Sequence, residues 1–158
     1  MYCIVGNAAG TVRSRTATIT ITRELIAYYR NGDECTSVTG GWVWNDGSEV
    51  TKNATNMFMS GVSSIRSSNK VDVTRVTTLY IRVTGNGKTD TGRFGLMSNA
   101  GTPITGSVSL PASVNGIASS TTEKTYAVDV SSISGTYYLV IGIRNAEQLT
   151  VYEVWGEV

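Results

Sequence analysis

The stretch T-Y-A-V-D-V-S-S-I-S-G-T-Y-Y-L-V-I-G-I-R, Thr125–Arg144, has the densest apolar content in the chain. It predicts a hairpin, in which two β-strands joined by a short Ser/Gly turn pair with each other. Because successive side chains of a strand point to opposite faces, residues 137–143 form two faces, and both are mainly apolar. A strand that is apolar on both faces is expected in the middle of a β-sandwich rather than at its wet surface.

The composition also favours an all-β fold. The chain has 158 residues, of which 41% are apolar and 16% charged, with a net charge of +1. Its seventeen glycines and two prolines suit a protein built from strands and tight turns. The low net charge does not indicate the positively charged surface that binds nucleic acid. No apolar run reaches the ~18–20 residues of a membrane helix. We therefore predict no nucleic-acid partner and no membrane insertion.

Short strands are predicted at regular intervals along the chain. Outside the opening stretch they are Glu24–Tyr29, Cys35–Trp44 with a bend at Gly40-Gly41, Met57–Met59, Val62–Ser67, Thr77–Thr84, Arg93–Met97, a strand containing Val108 and Leu110, and Gln148–Trp155. Pro111–Gly116 is predicted to be a turn. Strict alternation along the last strand places Glu153 on the same face as Val151, opposite Val154. About eight strands without long helical periodicity predict a two-sheet antiparallel sandwich.

The first residues have a pattern of their own. Cys3-Ile4-Val5-Gly6-Asn7-Ala8-Ala9-Gly10 predicts a strand and a turn, and T-V-R-S-R-T-A-T-I-T-I predicts a second strand. The order resembles the last two strands of immunoglobulin-like domains, although Met1 stands where that family has its corner tyrosine. The resemblance implies that residues 1–23 are a partial immunoglobulin-like hairpin, that Met1 is an added start, and that a separate module spans residues 24–158.

Four further segments carry a second resemblance. They are A-Y-Y-R-N-G-D-E-C (27–35), T-S-V-T-G-G-W (36–42), S-S-N-K-V-D-V-T-R-V-T-T-L-Y-I-R-V (67–83), and V-D-V-S-S-I-S-G-T-Y-Y-L-V-I-G-I (128–143) with a terminal Y-E-V-W. Residues 24–158 resemble jelly-roll modules of the galactose-binding-like and carbohydrate-binding type. The resemblance implies a jelly-roll sandwich that binds glycan or cell-surface polysaccharide, on a virion or a cell surface. Such modules are found in bacterial surface proteins and phage tail proteins. Their pairing with an immunoglobulin-like domain resembles the outer parts of tailed phages or a secreted gut-bacterial adhesin.

Residues suited to catalysis are few. The chain has no histidine, which excludes Ser-His-Asp and Cys-His arrangements and most zinc or iron sites. Most acidic residues lie in predicted turns, where Asp bonds local backbone, and no pattern pairs two of them for glycoside hydrolysis. We predict no enzyme activity and no cofactor, with a polysaccharide-degrading enzyme as the weaker alternative. A structural calcium ion would use loop acids such as Asp33 and Asp46.

Trp42, Trp44, Asn45 and Asp46 are the predicted ligand-binding residues. An aromatic plane stacks on the apolar C–H face of a sugar ring, and Asn and Asp can bond its hydroxyls. The two tryptophans fall on one face of a strand, directly before Asn45 and Asp46. Each also has a core position as its alternative, since tryptophan is usually mostly buried. Trp155 is expected in the core, and further aromatic candidates are Tyr28, Tyr29, Tyr80 and Tyr152.

A second functional hypothesis is a structural or assembly domain whose partners are protein subunits. An isolated hairpin is marginal in water, so residues 1–23 would be disordered, pack on the module or pair with another copy. Cys3 and Cys35 cannot form a structural zinc site without other ligands. They are expected either to stay thiols or to bridge the hairpin and the module.

Overall fold

The computed structural model describes residues 4–7, 10–13, 23–33, 35–50, 56–88, 92–100, 110–144 and 147–158. These ranges contain thirteen strands and one helical turn. The elements are β1 (Ile4–Asn7), β2 (Gly10–Arg13), β3 (Leu25–Arg30), α1 (Thr36–Thr39), β4 (Trp42–Trp44), β5 (Met57–Ser60), β6 (Ser63–Ser67), β7 (Val71–Asp72), β8 (Thr78–Gly85), β9 (Arg93–Met97), β10 (Ala112–Asn115), β11 (Lys124–Asp129), β12 (Thr136–Ile143) and β13 (Gln148–Glu157).

Two antiparallel sheets pack against each other and enclose one apolar core. The first has the strand order β10-β9-β12-β6-β4, and β7 pairs with the start of β12. The second has the order β11-β8-β13-β3, and β5 pairs with the start of β13. The predicted all-β two-sheet sandwich is therefore confirmed. Its assignment to the jelly-roll class stays a prediction.

β1 and β2 form an antiparallel hairpin in a two-stranded sheet of their own. A hairpin at the start of the chain is thus confirmed for residues 4–7 and 10–13. The predicted continuation of its second strand falls on residues 14–22, outside the described residues. Cys3 is also outside them, so the pairing of Cys3 with Cys35 stays a prediction.

The two strands of Thr125–Arg144 exist, but they do not pair with each other. β11 pairs with β8 in one sheet, whereas β12 pairs with β9 and β6 in the other. The connection between them crosses the sandwich, with Val130 fully buried and Ile133 packed against the core. Our prediction that the turn reverses the chain within one sheet was wrong. Buried side chains in the turn direct the chain across the core.

The same crossing occurs twice. Residues 71–76 (VDVTRV) and 128–133 (VDVSSI) each place an Asp carboxylate oxygen 2.6–2.9 Å from the backbone nitrogen and hydroxyl oxygen two residues later. In both, the Val after the Asp is fully buried. The first crossing leads from β7 into β8 and the second from β11 into β12, so they run between the sheets in opposite directions. Together they tie the two sheets around the core.

A β-bulge in β13 changes which side chains face the core. Val151 pairs with Val83 and Glu153 with the next residue of β8, Arg82, so Tyr152 is an extra residue without a partner there. Beyond the bulge, Val154 faces the core and Glu153 faces outward. The prediction that Glu153 shares the face of Val151, with Val154 on the opposite face, was therefore wrong, since a bulge inserts one residue and reverses the phase.

A second bulge lies in β3. Val154 pairs with Tyr29 and Trp155 with Ala27, which leaves Tyr28 as the extra residue. Both tyrosines are consequently buried in the core, although they are adjacent in sequence. Gly156 faces Tyr28 across this region, where a Cβ would lie 3.1 Å from the Tyr28 ring.

Residues 111–116, predicted to be a turn, contain the edge strand β10. Ala112 and Val114 pack against the core, while Ser113 and Asn115 are exposed. This short alternation pairs with β9 directly after Pro111. Within the described part of the chain, no helix has the length and apolar character needed to cross a bilayer.

Candidate functional site

A pocket of about 290 Å³ lies between the loop that follows β4 and the turn that precedes β6. Its lining consists of Trp44, Asn45, Asp46, Val62, Ser63 and Ser64. Three of the four residues predicted to bind a ligand therefore line one pocket.

Trp44 connects the pocket to the core. It is half-buried, packs against the core and pairs with Ile65 of β6. Its backbone nitrogen donates to the Ser48 carbonyl at 2.8 Å, and the Asn45 nitrogen donates to the Ser64 carbonyl at 3.0 Å. The core contacts fix the indole, and these hydrogen bonds fix the backbone that carries it. A ligand that contacts the indole therefore loses little binding free energy to the ordering of the Trp44 side chain.

Asp46 is held by the turn that it begins. Its Oδ1 accepts hydrogen bonds from the Ser48 hydroxyl at 2.6 Å and the Ser48 backbone N–H at 2.9 Å. These bonds, the hydroxyl first, hold the pKa of Asp46 below its usual value. Gly47, with φ of 87°, supplies the left-handed position that completes the turn. The carboxylate is thus ionised at neutral pH, and Oδ2 takes no part in these bonds.

The opposite wall comes from a distant part of the sequence. Val62 is 74% exposed, an unusual position for a large apolar side chain, and Ser63 and Ser64 follow it into β6. The turn before Val62 is anchored where the Gly61 nitrogen donates to the Glu147 carbonyl at 3.1 Å. No sequence signal pointed to Val62, because its meeting with Trp44 depends on the pairing of β4 with β6.

Trp42 lies in the core and not at the pocket. Only 1% of it is exposed, and its indole Nε1 donates to the Tyr28 carbonyl at 3.2 Å. Since β4 and β3 belong to different sheets, this bond joins the two layers. An indole enclosed in this way has no face open to a sugar, so the structure separates Trp42 from the other three predicted residues.

The remaining aromatic candidates divide between the core and one outer face. Tyr28 and Tyr29 are fully buried. Trp155 was expected in the core, but it lies half-buried on the outer face of the second sheet, stacked on Tyr80. Tyr152 lies on the same face, beneath the Arg82 guanidinium. The bulge at Tyr152 is the reason that Trp155 points outward.

The acids named for calcium each support a local turn. Asp33 accepts a hydrogen bond from the Cys35 backbone N–H at 3.1 Å, and Asp46 accepts those from Ser48. Within the described ranges, no three Cys, Asp or Glu side chains are grouped closely enough to hold a metal ion.

No protein-family model matches the chain, and no curated protein matches it.

Proposed function

We propose that residues 24–158 form a non-catalytic module that binds surface carbohydrate, as part of a phage tail or receptor-binding protein or of a bacterial surface protein. The observation that carries the proposal is the pocket in which Trp44, Asn45 and Asp46 meet Val62, Ser63 and Ser64. The virion or cell-surface location rests on the family resemblance of the sequence.

The lining combines the chemistry that a sugar requires. The indole of Trp44 and the side chain of Val62 offer apolar surface to the C–H face of a pyranose. The Asp46 carboxylate accepts hydrogen bonds from hydroxyls, and the Ser63 hydroxyl, which donates to the Ser60 carbonyl at 3.4 Å, can accept one as well. A volume of about 290 Å³ lies at the lower limit of small-ligand pockets, which suits one sugar ring at a chain end or a branch.

The electrostatics of the pocket favour binding over hydrolysis. A glycosidase needs one carboxyl group whose pKa is raised so that it can protonate the leaving oxygen. Asp46 is the carboxylate of the described lining, and its hydrogen bonds with Ser48 lower its pKa instead. An ionised carboxylate accepts hydrogen bonds well and is a poor proton donor at neutral pH.

Glycan-array screening followed by calorimetric titration tests the proposal. We expect the folded protein to bind a bacterial surface glycan, and Trp44→Ala to weaken that binding at least about tenfold, because the stacking surface is removed. Tyr138→Ala is the matched control, since Tyr138 is half-buried on a sheet but does not line the pocket. Absence of binding to every glycan by the folded protein would overturn the proposal.

The second candidate function is assembly with protein subunits. β1 and β2 form a separate two-stranded sheet, and such a sheet presents two edges to which another chain can add a strand. Light scattering over a range of concentrations tests this function. A particle that stays monomeric at high concentration would argue against self-association through the hairpin.

A further inference from the structure

The outer face of the β11-β8-β13-β3 sheet carries an ordered row of side chains. Strand pairing aligns Ala127 with Tyr80, Tyr80 with Trp155, and Trp155 with Ala27. We call these four residues the aromatic row. They run straight across the sheet, with two aromatic residues in the centre and one alanine at either end.

The two rings of the aromatic row stack on each other. Their centroids are 5.1 Å apart and their planes differ by 13°. The Tyr80 hydroxyl donates to Glu157 Oε2 at 2.9 Å, and Glu157 forms an ion pair with Arg23, so the stack is held in place. The stack uses one face of each ring. On its other side, each aromatic residue pairs with an alanine, whose single methyl group is too small to cover the ring.

Polar rows border the aromatic row on both sides. One consists of Thr125, Arg82, Glu153 and Arg30. The other consists of Asp129, Thr78 and Glu157 and ends at the exposed apolar side chain of Leu25. A ligand seated against either ring would therefore meet donors and acceptors above and below it. Farther along β13, Tyr152 lies beneath the Arg82 guanidinium, and Phe58, 51% exposed, pairs with Thr150. Aromatic side chains thus continue along the strand direction.

The arginines on this face are paired with carboxylates. Guanidinium nitrogens of Arg82 lie 2.5 Å from Glu123 Oε1 and 3.3 Å from Glu153 Oε2. The Arg30 Nε lies 3.4 Å from Glu153 Oε1. Arg23 is paired with Glu157. Each of these guanidinium groups has a carboxylate partner, so none is left over to attract an anionic ligand.

Building on the proposed function, we infer that this face binds an extended neutral glycan chain, at a second site separate from the Trp44 pocket. Sugar rings fit beside Trp155 and Tyr80, with their C–H faces on the aromatic planes and their hydroxyls bonded to the bordering rows. The ion pairs hold their oxygens and N–H groups in fixed positions before binding. Little side-chain entropy is therefore lost when the glycan binds.

The same features disfavour the other partners that an aromatic surface can have. A protein that covered this face would remove the Arg–Glu pairs from water, and the desolvation of these ions opposes binding. A glycan leaves those pairs hydrated and adds hydrogen bonds to them. Single-stranded nucleic acid also stacks on aromatic rings, but its affinity depends on unpaired cations along the phosphates. The paired arginines do not provide them.

Affinity electrophoresis in gels containing neutral polysaccharides tests the inference. The probes are cellulose-, xylan-, mannan- and galactan-type polymers, with polygalacturonate and oligodeoxythymidylate as charged probes. Ala127→Leu and Ala27→Leu fill the space beside the rings and leave the stack intact. Ala127 is exposed on an edge strand, so its substitution should not disturb folding. Trp155→Ala removes the platform itself.

We expect at least one neutral polymer to retard the wild-type protein, and Trp155→Ala and Ala127→Leu to weaken that binding at least about tenfold. Trp44→Ala is the matched control for the other site and should weaken it less. If only Trp44→Ala loses binding, this inference is overturned and the proposed function stands. If only the Trp155 and Ala127 variants lose binding, recognition belongs to this face alone. No retardation of the folded protein by any neutral polymer, or stronger retardation by a charged probe, also overturns the inference.

Discussion

Tyr28 and Tyr29 place two phenol hydroxyls in the core of the sandwich. Both side chains are fully buried, and neither hydroxyl forms a hydrogen bond with any part of the chain that the structure describes. Burial raises the pKa of each to about 12, with a smaller contribution from Asp72 for Tyr28 and from Cys35 for Tyr29. A buried hydroxyl without a partner loses its hydrogen bond to water, so these groups destabilise the fold.

Tyr28→Phe should therefore raise the free energy of unfolding by about 1 kcal/mol. The unfolded chain ionises this phenol near pH 10, below the folded pKa of about 12, so wild-type stability falls as the pH rises between those values. The variant should lose less stability over that range. Urea unfolding at neutral and alkaline pH measures both effects. Tyr138→Phe, half-buried on an outer face, is the control, and a less stable Tyr28→Phe protein at neutral pH would contradict the prediction.

The two VDV turns, residues 71–76 and 128–133, are the elements that join the sheets. In each, hydrogen bonds from a hydroxyl and then from a backbone N–H lower the pKa of the Asp, Asp72 in one and Asp129 in the other. A carboxylate whose folded pKa is depressed stabilises the folded state at pH values above its unfolded pKa. That contribution disappears as the pH falls through the folded pKa.

The double variant Asp72→Asn/Asp129→Asn should be less stable than wild type at neutral pH, because the amide oxygen accepts these bonds without a charge. It should also lose less stability than wild type when the pH is lowered from about 5 to about 3. Chemical unfolding at a series of pH values measures the difference. Thr74→Ala and Ser131→Ala, which remove the hydroxyl donors, should act in the same direction. Parallel acid profiles for wild type and the double variant would refute the role of these carboxylates.

The bulge in β13 predicts that the fold tolerates the deletion of one residue, Tyr152. Deleting Tyr152 restores regular alternation, with Val151 and Val154 facing inward and Glu153 and Trp155 facing outward. We therefore expect the deletion variant to fold and to lose less than about 2 kcal/mol in urea unfolding. Deleting Ile141 from β12, which pairs in regular register, is the control and should prevent folding. Similar damage from both deletions would show that Tyr152 is not an inserted residue.

At the scale of the whole molecule, the described core of the sandwich belongs to the strands that follow the first hairpin. The residues of the core cluster lie between Tyr28 and Val154. The start of the module meets the end of the chain, where the Val158 nitrogen donates to the Glu24 carbonyl at 2.9 Å and Arg23 pairs with Glu157. Among the residues that the structure describes, the core cluster and these end contacts lie within residues 23–158.

Removal of residues 1–22 should therefore leave the sandwich folded, with a cooperative thermal transition close to that of the full chain. If the hairpin mediates assembly, the shortened protein should also be monomeric at concentrations where the full chain associates. Differential scanning calorimetry and light scattering on both proteins measure these outcomes. A shortened chain without a cooperative transition would contradict the independence of the module.

Local patterns in the sequence were sufficient for much of the fold. β9 has the predicted bounds, Arg93–Met97, and Gly40 and Gly41 bend the chain with φ of 67° and 98°. The adjacency of Trp44, Asn45 and Asp46 was enough to name one wall of the pocket. These features depend on side-chain alternation, turn chemistry and neighbours along the chain, all of which can be read from a single segment.

By itself, the sequence determined that this chain is a β-sandwich and that Thr125–Arg144 contributes two strands to its core. Only the tertiary structure decided that those strands belong to different sheets, that the bulge at Tyr152 turns Trp155 outward, and that Val62 lies opposite Trp44. The physical reason is the range of the interactions. Alternation and turns are local, whereas strand partners, bulges and pocket walls depend on which distant segments bury their apolar faces together.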